Sequence, residues 1–292
     1  MEIKSVLFLL LAALIWGVAF VAQSMGMEYV GPYTFNAARF LLGGIVLLPL
    51  AVYRRTKYQR ENSLKEADQK KRDRITLIGG ICCGIAIFIA STLQQVGMQY
   101  TSVGKAGFIT ALYIVIVPFL GMFLGKKVPA VLWLGAVIAT GGFYLLCITE
   151  GFVLNQGDLL IFLCAVSFSF HILIIDHFAP KADGVALSCL QFFFSGTVSV
   201  LPALWMEEIT WISLWQAAMP IAYAGILSCG VAYTLQILGQ VKVRPSLASL
   251  ILSLEAVISV LAGWLILGEV LTLRQLIGCG LVFFAVIIAQ RC

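Results

Sequence analysis

Three ionisable residues stand inside otherwise apolar stretches of this chain: Arg39, Lys105 and Glu255. A charge held away from water costs several kcal/mol unless it is paired or hydrated, so each marks either a structural ion pair or the path of a polar ligand. At about 1.5 Å per helical residue, Arg39 lies roughly two turns into its segment and Lys105 roughly one turn into its own, from the same side. Glu255 lies about 15 Å into its segment from the other side. Two cations above one mid-membrane anion attract a carboxylate or phosphate, or else close an ion pair. Glu255 is accordingly either a proton-coupling site or the partner of Arg39 or Lys105. Arg39 alternatively binds backbone carbonyls, and Lys105 is shallow enough for its ammonium to reach the interface.

Other side chains add to this set. Ser91, Gln94 and Gln95 are spaced three and four apart, so they share one helix face and either bond a neighbouring helix or meet a substrate. Trp16 and Tyr113 offer aromatic surface to a cavity, or serve as interfacial and packing residues. His171 sits deep in an apolar run, where a lone histidine is more often hydrogen-bonded than catalytic. The chain has two histidines, too few for a membrane di-iron enzyme, and no paired Asp-rich motifs to hold Mg²⁺ with a pyrophosphate. It has no Gly-rich phosphate loop either. These features weigh against an integral-membrane enzyme and against ATP hydrolysis, and no cofactor is expected.

The elements that must position these residues follow from composition. Of 292 residues, 61% are hydrophobic and 11% charged, with a mean hydropathy of +1.01. A soluble domain of this size cannot bury so much apolar surface, so the lipid bilayer is the solvent. A hydrocarbon core of roughly 30 Å takes about 20 residues per helical crossing. Apolar runs at 5–24, 33–53, 75–99, 102–124, 129–148, 157–177, 184–205, 216–239, 245–267 and 272–290 predict ten transmembrane helices. The runs are continuously apolar rather than alternating, which excludes a membrane barrel. The stretch 6–22 after Lys4 imitates a secretory signal, but its length, Trp16 and the lack of a small-x-small cleavage site mark a first membrane helix. Pro118 predicts a kink in the fourth helix. The pairs Gly80/Gly84 and Gly121/Gly125 predict close packing within one chain or between copies, so the oligomeric state stays open. Seven of the eight cysteines lie in apolar runs as small packers.

Basic residues fix the expected orientation. With the N-terminus inside, sixteen of the nineteen Lys and Arg fall on the cytoplasmic side, whereas the outer loops hold Glu28, Glu150, Glu207 and Glu208. Nine of them lie in the polar connector 54–74, read as a solvated cytoplasmic loop beside lipid headgroups. The net charge of +5 is thereby accounted for, and nucleic acid is not an expected partner.

The chain also repeats itself. Thr92-Leu93-Gln94-Gln95-Val96-Gly97 matches Thr234-Leu235-Gln236-Ile237-Leu238-Gly239 at an offset of 142. Near that offset, Leu124-Gly125 with Gly135 matches Leu267-Gly268 with Gly278; at 152, Arg39-Phe40 with Gly44 meets Gln191-Phe192 with Gly196. Each half, 1–148 and 149–292, then holds five helices, and an odd number of crossings inverts the second half relative to the first. By that symmetry Gln236 lies near the mouth opposite Gln94.

Taken with Trp16-Gly17, Ala38-Arg39-Phe40, the stretch from Thr101-Ser102 to Leu124-Gly125, the stretch from Ser249 to Glu255, Leu267-Gly268-Glu269 and Gln275-Leu276-Ile277-Gly278, the sequence resembles the EamA-type ten-helix branch of the drug/metabolite transporter superfamily. Two positions depart from that pattern: Ala256 follows Glu255 where the family often has proline, and Lys126 stands where the second half has Glu269. The resemblance implies inverted five-helix repeats around a central cavity, moving small metabolites such as amino acids, often outward. The expectation is a secondary carrier of the inner or plasma membrane, both termini cytoplasmic, that rocks about a site between helices 3, 4, 8 and 9 with Glu255 as a proton-coupling group. A flippase for lipids or lipid-linked sugars is the alternative.

Overall fold

The computed structural model describes residues 3–61, 66–101, 103–148, 155–267 and 272–289, and every regular element among them is helical. Ser102, Glu150, Gly268, Glu269 and Arg291 lie outside the described residues, and with them part of the Leu267-Gly268 match. Helices are the expected outcome: in hydrocarbon each backbone N–H and C=O must be satisfied within its own segment.

The chain runs α1 (Ile3–Gly26), α2 (Pro32–Glu61), α3 (Glu66–Gly97), α4 (Val103–Ala111), α5 (Tyr113–Phe123), α6 (Ala130–Cys147), α7 (Gln156–Phe178) and α8 (Gly184–Met206). It continues with α9 (Trp211–Gln216), α10 (Ala218–Ala222), a π-helical stretch (Tyr223–Tyr233), α11 (Thr234–Gln240), α12 (Pro245–Leu252), α13 (Leu254–Leu267) and α14 (Leu273–Ala289). Eight segments among the described residues are long and apolar enough to cross a membrane; α4–α5, α10–α11 and α12–α13 each count as one. Two further apolar helices, Ala130–Leu146 and Leu273–Ala289, are shorter. The protein is a multi-pass helical membrane protein.

Three predicted helices are interrupted. The run 102–124 breaks at Leu112, six residues before the proline expected to bend it; Leu112 and Val115 donate to carbonyls three residues back, at Ile109 and Leu112. The run 245–267 breaks at Ser253, where Ser249 and Ser253 return their hydroxyls to the carbonyls of Ser246 and Leu250. Such back-bonding offers the backbone an alternative to the helical ladder. The run 216–239 widens into the π-helical stretch, which packs on α2 where Gly43 faces Gly225 and Cys229.

The polar connector is helical where it is described. Good helix formers carry α2 and α3 past their apolar runs. The two extensions are zipped by Arg55–Asp73 at 2.7 Å and by the Arg72 guanidinium 3.6 Å from the Tyr58 ring centre.

Charged ties between the halves set their relative placement. Asp183 caps α8 through the backbone N–H groups of Val185 and Ala186 and faces Arg54 at 3.4 Å and Arg72 at 3.5 Å. Lys126, after α5, pairs with Asp176 of α7. Glu207 accepts from the N–H groups of Tyr33 and Thr34, both at 2.8 Å, satisfying donors that the first turn of α2 cannot use itself.

α6 and α14 cross at Gly142 and Gly278, whose backbones touch so closely that a β-carbon on Gly278 would stand 2.6 Å from the Gly142 carbonyl. Gly278→Leu should therefore lower folding stability in detergent by about 2 kcal/mol. Gly280→Leu, with open space around it, should leave the thermal midpoint unchanged. Equal midpoints for both variants would show that this crossing is loosely packed.

Candidate functional site

Arg39 on α2 is 4% exposed and lines a cavity at the centre of the bundle. Its Nε donates to Asn36 Oδ1 at 3.0 Å, one turn back, and its Nη1 donates to Gln23 Oε1 of α1 at 3.1 Å. The Phe40 and Phe35 ring centres lie 4.8 and 5.6 Å from the guanidinium carbon. Among the described residues no carboxylate forms an ion pair with it.

Glu255 and Tyr113 also line the cavity. Glu255 is in the first turn of α13, just past the Ser253 break, and 8% exposed; Tyr113 opens α5, just past the Leu112 break. The Tyr113 hydroxyl donates to Glu255 Oε1 at 3.0 Å, across a separation of 142 residues. That separation equals the offset between the two Thr-Leu-Gln segments, and Gln94 and Gln236, related by the same offset, face the cavity too.

The wall between these groups is aromatic. Tyr233, at the end of the π-helical stretch, has Trp16 at 4.5 Å, Phe192 at 5.5 Å and His171 at 5.9 Å between ring centres. Phe192 in turn stacks on Phe40 at 5.7 Å, so rings run without interruption from Arg39 to Tyr233. His171 shares a 3.0 Å hydrogen bond between its Nε2 and Gln191 Oε1. Of the lining residues, Trp16 Nε1, His171 Nδ1 and Gln236 Oε1 are buried without a hydrogen-bond partner among the described residues. A buried polar group left unpaired costs about 1–3 kcal/mol, so these atoms are suited to a polar ligand.

Seven of the nine sequence candidates therefore meet here: Trp16, Arg39, Gln94, Tyr113, His171, Gln236 and Glu255. Gln95 is fully buried and stands off the cavity, its amide nitrogen and oxygen without partners among the described residues. Lys105 is engaged elsewhere, its Nζ 2.5 Å from Asp158 Oδ2. Asp158 is 2% exposed, accepts from the Thr101 hydroxyl at 2.8 Å, and forms a reciprocal cap with Asn155 at the start of α7. Among the described lining residues Arg39 is thus the one Lys or Arg. Sequence reasoning passed over Gln23, Asn36, Phe168, Ser228 and Tyr233, which read as packing residues in apolar helices. The one available signal was Asn36, three residues before Arg39 and hence on its face. Among the described residues no three of His, Cys, Asp and Glu stand close enough to share a metal ion.

A second, open cavity lies along the same walls. α7 contributes His171 and Ile172 to the first cavity and Asp176 to the second; α11 contributes Gln236 and then Gln240; α12 contributes Leu252 and then Ser246. Lys126, Lys127, Lys242 and Arg244 line the outer part. Between the two, Gln240 Nε2 donates to the Ile172 carbonyl at 3.1 Å.

A bundle of membrane-length helices around a central cavity that holds a few polar and charged side chains is the general plan of a membrane transporter. The sequence profile of the EamA-like transporter family matches residues 3–148 and again 155–290. The chain belongs to that family, within the drug/metabolite transporter superfamily, and its general role is transport. It is 32% identical over 287 residues to an uncharacterized transporter of Archaeoglobus fulgidus, covering 97% of this chain and 84% of the relative. It is 26% identical over 287 residues to the uncharacterized transporter YwfM of Bacillus subtilis, covering 97% and 92%. A solved crystal structure superposes with a TM-score of 0.80 at 19% identity, covering 100% of this chain and 98% of the other, which establishes likeness of fold.

The Lys105–Asp158 pair is a structural tie, and removing one partner leaves the other buried and uncompensated. Asp158→Ala should cost about 3 kcal/mol of stability in detergent, and Asp158→Asn, which keeps the cap to Asn155, distinctly less. An Asp158→Ala midpoint equal to that of the wild type would contradict this assignment.

Proposed function

We propose that the protein is a secondary carrier of small metabolites that works by alternating access, with the central cavity as substrate site and the ten apolar segments as two inverted sets of five. The Tyr113–Glu255 hydrogen bond carries this reading: it joins residues 142 apart, each just past a helix break, at the offset that relates Gln94 to Gln236. At 152, the offset of the second helix, Trp16 and Phe20 correspond to Phe168 and Ile172, all four on the cavity wall. The double match of the family profile supports the same division. Repeats that face each other across a cavity give two equivalent conformations, one open to each side. Shorter helices α6 and α14 serve as the fifth crossing of each half.

In this reading the protein lies in the cell membrane with its termini and the basic cavity facing the cytoplasm, and the distribution of Lys and Arg supports that orientation. Substrate enters from that vestibule, passes the Gln240–Ile172 contact, and leaves on the other side. Glu255 couples the cycle to protons. It bonds across the two halves through Tyr113, and its charge state sets whether it is an acceptor only or also carries an O–H donor into the cavity.

The test is flux in proteoliposomes across a metabolite panel, with and without a pH gradient. The wild type should show gradient-dependent flux, and Glu255→Gln should retain exchange while losing that dependence. Unchanged gradient dependence in the variant sinks the coupling role, and no flux for any compound sinks the carrier reading.

A further inference from the structure

The ionisable groups of this protein divide by what compensates them. Asp158, Asp183 and Asp176 each have a basic partner. Arg39 is buried too, between Asp158 and Asp183 in exposure, yet its two hydrogen bonds go to the neutral amides of Gln23 and Asn36. A guanidinium has five N–H donors, so three remain. An uncompensated buried charge is costly, and a stable protein keeps one only where something else supplies the opposite charge.

We infer, building on the carrier reading, that the cavity selects small organic monoanions and that Arg39 receives their carboxylate. Planar carboxylates match the guanidinium fork through paired, charge-assisted hydrogen bonds. The amides of Gln23 and Asn36 hold the fork in place, and Phe40 lies against it. Among the described lining residues Arg39 is the one Lys or Arg and Glu255 the one carboxyl, so with Glu255 protonated a single negative charge is neutralised and a doubly charged phosphate ester is left with an excess. Beyond the guanidinium the cavity is lined by Trp16, Phe20, Tyr113, Phe168 and Tyr233, which suits an apolar or aromatic remainder. The selected class is therefore carboxylates with a hydrophobic body, distinguished from their neutral amides by the charge and the second acceptor oxygen.

The test uses the purified full chain in detergent and its thermal midpoint. The probes are acetate, phenylacetate, benzoate and a branched-chain 2-oxo acid, with phenylacetamide, benzamide and inorganic phosphate beside them. A ligand that binds only the folded state raises the midpoint in proportion to its affinity. Phenylacetate, benzoate or the 2-oxo acid should raise it, and the amides and phosphate should not. Arg39→Gln should weaken the effective carboxylate about 10- to 100-fold while leaving the ligand-free midpoint unchanged or higher, because the substitution removes a buried charge that forms no ion pair among the described residues.

Three results overturn the inference: no response to any carboxylate, an equal response to the amides, or an Arg39→Gln variant that keeps the response while its ligand-free midpoint falls. The last would make Arg39 a strut between α1 and α2. The assay needs no flux, so the two readings fail separately. Carboxylate binding without transport removes the carrier reading, and transport of neutral compounds without a carboxylate response removes this one.

Discussion

The hydrogen bond from Tyr113 to Glu255 is made by two residues that each resume an interrupted helix, one in the first half of the chain and one in the second. Breaking a helix inside a membrane frees backbone groups that no water can satisfy, so it persists only where other groups take them up. Here tighter turns at Leu112 and the hydroxyls of Ser249 and Ser253 do so. The breaks set a phenol and a carboxyl against each other at the centre, and Gln94, Gln236 and the ring cluster around Tyr233 close around them.

Polar chemistry elsewhere is spent on holding the halves together. Lys105–Asp158, Asp183 with Arg54 and Arg72, and Lys126–Asp176 lie near helix ends and join one half to the other. Each is an opposite-charge pair, the arrangement a structural role requires. Arg39 and Glu255 lie deeper and lack an opposite charge among the described residues. That contrast separates the ties that position the cavity from the groups available to a ligand or a proton, and it uses the same electrostatic cost for both.

Much of this was legible in the sequence where one residue type departed sharply from its surroundings. Arg39 and Glu255 stood out because charge in an apolar run is costly, and Gln94 and Gln236 because a near-identical segment recurs. The breaks at Leu112 and Ser253 were hidden: neither position is glycine or proline, and serine back-bonding depends on local geometry. Tyr233 and Gln23 looked like packing residues, and only the folded chain brings one against Trp16 and the other to Arg39. For Lys105 the sequence left a cavity cation, an ion pair and an interfacial residue open, because its partner, Asp158, lies 53 residues away at the start of another helix.

The central claim, that one cavity opens to each side of the membrane in turn, is tested most directly by accessibility. Ser228 lines the cavity; Ser228→Cys in a background with the eight native cysteines replaced provides a single reporter. Labelling by a membrane-impermeant thiol reagent is followed in oriented vesicles from each side, with and without a transported compound. The account predicts modification from both sides, with the substrate shifting the balance between them. Modification from one side only, under every condition, would contradict it.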